Sequence, residues 1–382
     1  MFTKETKDKL FSLPTPFYYY DMAVLKKTLG LVRNEASEKG FSVHYAVKAN
    51  FNPVIMKTIA GYGLGADCVS GNEIEHALDC GFQAGEVVFA GVGKSDNEIE
   101  RALMAGIKCF NCESIQELEV IDEIAGRMGL RAPVALRINP NIEAHTIREI
   151  TTGTDENKFG IRIPELDVVA ALLKQLKNVD FKGIHFHIGS QVTDMAPYRN
   201  LCTRVNQIYE WFCDRGLEPE NINLGGGLGI SYDHPELLPP FREYFGLFRE
   251  HLDKRIRSSL SFELGRSLTA MCGSLISRVL YIKNGVAETF VILDAGMTDL
   301  MRPALYHAYH RIENLTSNLP AKKYTVAGPI CETTDTFGKF VELPETSRGD
   351  LIAIRSAGAY GESMASRYNL RALPGSVFSD KI

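Results

Sequence analysis

Between residues 41 and about 265 one unit recurs eight times: a short apolar run, a turn of Gly or Ser, then a stretch with helical apolar spacing. The runs are SVHYAV, GADCVS, VVFAG, IKCFNC, PVALRIN, KGIHFHI, NINLG and LSFEL, with stretches such as EIEHALDCG and VVAALLKQLKNV between them. Short apolar runs bounded by turn signals suit buried strands, and apolar spacing near 3.6 residues suits amphipathic helices. Helix starts are signalled as well. Ser70 with Glu73, Ser95 with Glu98 and Ser114 with Glu117 each spell a capping box just after a strand, and Asn52 before Pro53 puts proline at a first helical position. Strict alternation requires parallel strands with right-handed crossovers, and eight units predict a closed α/β fold, a TIM-type (β/α)8 barrel, rather than an open sheet.

A helix at about residues 23 to 39 precedes the first of these strands. After residue 266 the texture changes to β-branched and aromatic runs with short turns, as in GSLISRVLYIKN, ETFVILDAG, KKYTVAGP and DLIAIRSAG. That pattern predicts a mostly antiparallel β-domain, with Gly285 after Asn284 as a hairpin signal and the segment FYYYD as an added strand. The expected division is a barrel over 22–265 and a β-domain over 1–21 and 266–382.

Composition closes off other classes. A net charge of -5 gives no footprint for nucleic acid, and Lys254, Arg255 and Arg257 read as a solvated helix face. The segment MFTKETKDKL lacks the apolar core of a signal peptide and no run of about 18 apolar residues is present, so no membrane partner is expected and the cytoplasm is the expected compartment. Eight scattered cysteines fit reduced thiols. Cys109 and Cys112 form a CxxC inside an apparent strand with no second pair to complete a zinc site, so both are expected in the core and no metal is expected.

Barrels of this kind carry their sites at the C-terminal ends of the strands, so the polar residues there decide the chemistry. Strand one ends in Lys48, strand two holds Asp67, strand five Arg137 and Asn139, and strand six runs His185, Phe186, His187, Gly189, Ser190. Strand seven delivers Gly225, Gly226, Gly227 and Gly229, and strand eight ends Glu263, Leu264, Gly265, Arg266. Glycines after a strand let amides approach an anion, and a helix start behind them would add a favourable dipole. A lysine able to form a Schiff base, an anion cradle, a flat histidine and a carboxylate together describe a site for pyridoxal phosphate. Taken singly, GGGLG is also a tight turn, Glu263 a salt-bridge partner, and the HxH of His185 and His187 a pair of metal ligands. His44 and His145 read as a strand-edge residue and a loop residue.

Seven segments resemble the fold-type III pyridoxal phosphate decarboxylases, most closely their diaminopimelate branch. They are YAVKAN at 45–50, HIGSQ at 187–191, GGGLG at 225–229, ELGR at 263–266, DLMRPALYHAYH at 299–310, GPICETTD at 328–335 and GAYGESMAS at 358–366. Leu264 stands where the family usually has proline, and Thr333 and Thr334 where it more often has Ser and a small residue. The resemblance implies an alanine racemase-like barrel plus β-domain, and removal of CO2 from meso-diaminopimelate to leave lysine, the last step of lysine biosynthesis. It implies that Lys48 holds pyridoxal 5'-phosphate, that Glu263 faces the ring nitrogen and that His187 stacks on the ring. Asp67, Arg137, Ser190, Gly225, Gly226, Gly227, Gly265, Arg266 and Tyr360 are implied around the cofactor. Arg266, Arg302, Tyr306, Glu332 and Tyr360 are implied around the substrate. Cys331 is implied as a proton donor lent, with Glu332, to the other subunit of a homodimer.

A substrate ending in both carboxylate and ammonium needs both a cation and an acid, which this set offers. Ornithine, arginine or carboxynorspermidine decarboxylation, alanine racemisation and a non-catalytic cofactor binder remain as rivals. Alanine racemisation needs a second acid–base tyrosine and has no use for an arginine pair.

Overall fold

The computed structural model describes residues 2–142, 158–256 and 259–382. Strands are numbered in chain order from β1 (Phe17–Tyr20). The next eight are β2 (Ser42–Ala46), β3 (Gly65–Cys68), β4 (Val87–Phe89), β5 (Cys109–Cys112), β6 (Ala132–Arg137), β7 (Val179–His185), β8 (Asn221–Asn223) and β9 (Leu260–Leu264). Each pairs in parallel with the next, and β9 pairs with β2, so the sheet closes into a barrel. All eight correspond to the expected apolar runs.

The connecting helices begin where the local sequence directs. Asn52 Oδ1 accepts from the Val54 amide with Pro53 in the first turn, and Ser70 and Ser114 accept from the amides of Glu73 and Glu117. Only Ser95 closes a box in the expected way, its amide donating to Glu98. Glu73 and Glu117 reach one residue further back, to the amides of Val69 and Glu113, tying each helix to the end of the preceding strand.

The last two large helices, Ala196–Cys213 and Phe241–His251, pack an aromatic cluster on β9. Phe262 lies 5.0 Å from Phe245, 5.1 Å from Phe248 and 5.6 Å from Tyr244 between ring centres. Side chains alternate along a strand, so an outward Phe262 turns Glu263 inward. Backbones approach unusually closely on the neighbouring strands. A Cβ on Gly183 of β7 would lie 1.9 Å from the Asn221 carbonyl oxygen of β8.

Two expectations are corrected within the barrel. A closed barrel has no edge, and His44 is fully buried on β2 opposite Gly65, where burial and nearby Lys108 pull its imidazole down to about 4. No helix starts behind the glycines of β8, because residues 230–239 leave the barrel unit and the next helix begins at Phe241. Lys254 and Arg255 lie on a single exposed 3-10 turn, with Arg255 paired to Asp253 and Glu210. His145 and Arg257 lie outside the described residues.

The other unit is a sheet built on β10 (Gly273–Asn284) with β11 (Thr289–Leu293), β12 (Ile312–Asn314), β13 (Ala321–Ala327), β14 (Thr336–Pro344), β15 (Leu351–Ile354) and β16 (Gly375–Phe378). The order is β12-β15-β10-β11-β13-β14, with β1 antiparallel on β10 and β16 parallel on β1. The β11–β13 pair is also parallel and the other pairs are antiparallel. Leu10, Phe17, Tyr19, Ile276, Leu315, Leu351 and Ala353 form its core.

The chain divides into residues 1–28, 230–239 and 266–382 on one side and 29–229 and 240–265 on the other. Residues 22–28 and 230–239 thus group with the sheet and not, as expected, with the barrel. The reason is local: Asp21 and Met22 donate to Cys272 and Ser379, and Arg311 donates to the Asp233 carbonyl.

Gly183→Ala should cost about 1–3 kcal/mol, because the new methyl must push β7 from β8. Denaturant unfolding checks this, and a loss below about 0.5 kcal/mol would contradict the close approach.

Candidate active site

β2 stops at Ala46, and one 3-10 turn, Val47–Ala49, swings Lys48 onto the mouth of the barrel. Lys48 Nζ lies 3.1 Å from Asp67 Oδ2, with the lysine side chain 41% exposed and the aspartate 1%. Asp67 stands on β3 directly beside Ala46. Burial and the charge of Glu263 push the Asp67 carboxyl upward, and Lys48 opposes them only in part. A lysine held by a buried acid at a strand end is aimed and still reachable.

Glu263 is buried on β9, and both of its carboxylate oxygens are hydrogen-bonded. Its Oε1 accepts from Asn111 Nδ2 of β5 at 3.0 Å and Asn223 Nδ2 of β8 at 2.7 Å, and its Oε2 lies 3.0 Å from His185 Nε2 of β7. Burial alone would raise this carboxyl. The attraction and hydrogen bond of His185, with the charge of Lys48, outweigh it and hold Glu263 well below the usual carboxylate range. The site therefore contains a buried carboxylate held in its ionised form.

His187 follows β7, half-buried, and its Nδ1 accepts from the Gly226 amide at 3.2 Å. An accepting Nδ1 leaves the proton on Nε2. Burial, helped by the nearby charges of Arg137 and Lys48, lowers its pKa well below the ordinary value, so the ring is neutral.

The glycine run is forced by backbone crowding. A Cβ on Gly225 would lie 2.2 Å from the Phe186 carbonyl oxygen, one on Gly226 1.7 Å from that of Glu263, and one on Gly227 2.5 Å from that of Gly189. Gly225 (φ +65°) and Gly227 (φ +101°) also need conformations that favour glycine. The Gly225 amide is taken by Asn223 Oδ1 at 2.9 Å and the Gly226 amide by His187, so two of the three expected anion donors are engaged within the protein. Ser190 is half-buried in the loop after β7, and Gly265 closes against Ala49 and Ala46. Arg137 Nη1 donates to Glu113 at 2.6 Å, and Glu113 also accepts from the amides of Gly91 and Gly160.

In the sheet unit a second group forms. Arg266 Nη1 and Arg302 Nη1 both donate to Tyr232 Oη, at 2.7 and 2.8 Å, and the Arg266 guanidinium lies 4.8 Å from the Tyr360 ring centre. Arg302 is 3% exposed and has no carboxylate partner among the described residues. Burial, with repulsion from Arg266 and despite Tyr232, draws it below the ordinary arginine value. Tyr306 ends the short helix Arg302–Tyr306 half-buried. Cys331 is an exposed free thiol, and exposed Glu332 accepts from Tyr368 Oη at 2.7 Å.

Sequence reading missed Asn111, Asn223, Glu113, Tyr232 and His310. The two asparagines carried a usable signal, since a polar residue inside a short apolar strand needs an inward partner. Tyr232 and His310 carried none beyond their neighbourhood.

Comparisons with known proteins agree with this geometry. The family described as "Pyridoxal-dependent decarboxylase, pyridoxal binding domain" matches residues 25–270. A diaminopimelate decarboxylase of Bacteroides thetaiotaomicron is 54% identical over 98% of this chain and 98% of that protein. One of Aquifex aeolicus is 39% identical over 94% of this chain and 84% of that protein. The crystal structure of diaminopimelate decarboxylase from Helicobacter pylori complexed with L-lysine is similar with a TM-score of 0.93 and 39% identity, covering 98% of this chain and 94% of that one.

A carboxyl whose folded pKa lies below its unfolded value of about 4.3 stabilises the fold above that pH and loses the contribution as pH falls toward the folded value. In Glu263→Gln the unfolding free energy should therefore fall less steeply between about pH 4.5 and 3, by up to about 1.4 kcal/mol per pH unit. Denaturant titrations at fixed ionic strength test this; identical slopes would mean that the carboxylate is not held ionised.

Proposed function

The chain belongs to the diaminopimelate decarboxylases of the pyridoxal-dependent decarboxylase family, and we infer that it releases CO2 from meso-diaminopimelate and leaves L-lysine, the last step in making that amino acid. Its cofactor is pyridoxal 5'-phosphate. The observation that carries the reading is the barrel mouth, where an aimed lysine amine and a buried ionised carboxylate share one closed sheet.

The residues present suit that cofactor. Buried Asp67 Oδ1 and His185 Nδ1 have no hydrogen-bond partner among the described residues. Bound there, the cofactor takes up the electron pair left when the bond to the departing carboxylate breaks. Lys48 supplies the amine that links it and Asp67 orients that amine. Glu263, kept ionised by His185, Asn111 and Asn223, holds a proton on the ring nitrogen. His187 lies against the ring as a neutral flat surface. Ser190, the Gly227 amide, Gly265 and Tyr360 hold the phosphate, while Gly225 and Gly226 contribute by lacking side chains. Arg137 supports the wall through Glu113.

For the far end of the substrate, Arg302 and Arg266 grip the distal carboxylate with Tyr306 and Tyr360, and Glu332 pairs with the distal ammonium. A buried guanidinium without a carboxylate partner supports this, because such a charge is costly until an anion meets it. Cys331 returns a proton to the carbon that lost CO2, in the site of the other subunit of a homodimer. Its exposure supports that role, as does an open cleft of about 970 Å3 lined by Thr333, Thr334, Tyr309 and Phe340. Tyr309 and Phe340 are 56% and 61% exposed, an apolar surface suited to a second copy. Eight free cysteines support a reducing compartment, the cytoplasm. Among the described residues no helix is long and apolar enough to cross a membrane.

The test is CO2 release from meso-diaminopimelate, ornithine, arginine, lysine and carboxynorspermidine with and without added cofactor; activity confined to ornithine would sink the substrate assignment. Arg302→Ala should lower kcat/KM for diaminopimelate about a hundredfold or more with cofactor absorbance intact. Mixing inactive Lys48→Ala and Cys331→Ala subunits should restore up to roughly a quarter of the activity if sites are shared across a dimer. No recovery after subunit exchange would refute sharing.

A further inference from the structure

We propose that His310 and Tyr232 are positioning residues that set substrate selectivity by holding Arg302 in one orientation without neutralising it. The inference rests on the reading that Arg302 meets the distal carboxylate. His310 is 2% exposed, and its Nδ1 lies 2.8 Å from the Arg355 carbonyl oxygen. A carbonyl only accepts, so Nδ1 carries the proton and Nε2 keeps its lone pair. That lone pair faces Arg302 Nη1 at 2.7 Å. Burial and the neighbouring Arg302 charge bring the imidazole down to about 3, which keeps it an acceptor.

Tyr232 Oη takes the second proton of the same nitrogen at 2.8 Å, its ring centre 5.0 Å from the guanidinium and 4.9 Å from the His310 ring. Both protons of Nη1 are thus committed, and Nε and Nη2 have no protein acceptor among the described residues. A carboxylate in place of either acceptor would fix the arginine equally well and cancel its charge. Two neutral acceptors fix it and leave the charge for an anionic ligand, which is what distinguishes a substrate bearing a distal carboxylate from a plain diamine. Tyr232 also accepts from Arg266, so the two guanidiniums are set at one spacing by a single oxygen.

The experiment uses the cofactor-loaded enzyme and two probes that differ only in the carboxylate, L-lysine and cadaverine, each as a competitor of CO2 release. His310→Leu should weaken L-lysine about tenfold or more while cadaverine changes less than about twofold, and KM for diaminopimelate should rise more than kcat falls. His310→Gln, which restores an acceptor, should recover most of the loss, and the absorbance of the bound cofactor should not change. Tyr232→Phe tests the frame independently should the leucine variant fail to fold, with the same selective loss expected. Equal weakening of both probes, or retained lysine preference in both variants, would overturn the frame. An unsubstituted enzyme that binds L-lysine no better than cadaverine would instead overturn the distal-carboxylate reading, and the frame with it.

Discussion

A carboxylate sealed inside a barrel must be kept ionised by its neighbours, and much of this structure serves that requirement at Glu263. Moving such a charge out of water costs several kcal/mol, and only well-placed donors recover it. Here the donors come from three other strands: Asn111 of β5, His185 of β7 and Asn223 of β8. No local segment could gather them. Closure of the sheet does, and the aromatic cluster around Phe262 sets the facing of β9 from the outside.

The glycine run is part of the same unit. Glu263 donates its amide to the Gly225 carbonyl, and Gly226 passes so close to the Glu263 carbonyl that no side chain fits. The loop after β8 therefore continues as an extension alongside β9, and the amides of Gly225 and Gly226 are spent on aligning Asn223 and His187. Its glycines serve close approach first and anion binding second.

The barrel was legible because period, turns and caps agreed: eight apolar runs separated by stretches of helical spacing, four of those stretches with a cap signal at their start, have one closed solution. Lys48, Asp67, His187 and Glu263 were legible because strand ends can be read from the same pattern. What escaped depends on distance across the fold. The partner of Arg137 is Glu113, which sits just past β5, and a helix cap and a wall carboxylate look alike in a sequence. His44 was read as an edge residue because a strand alone does not show its neighbours, and in the barrel it has one on either side. The missing helix behind Gly227 reflects a detour of residues 230–239 into the sheet unit, and that detour brings Tyr232 to its two arginines.

The sheet unit has a bearing on how the protein is made. β1 lies between β10 and β16, so a strand made before the barrel finds its partners only after every barrel strand has been synthesised. Synthesis runs from the N-terminus, so the barrel can close while β1 still waits, and the sheet seals last. Until then the aromatic stretch Phe17–Tyr20 carries two unpaired edges, the kind of surface on which a strand pairs with whatever neighbour is at hand.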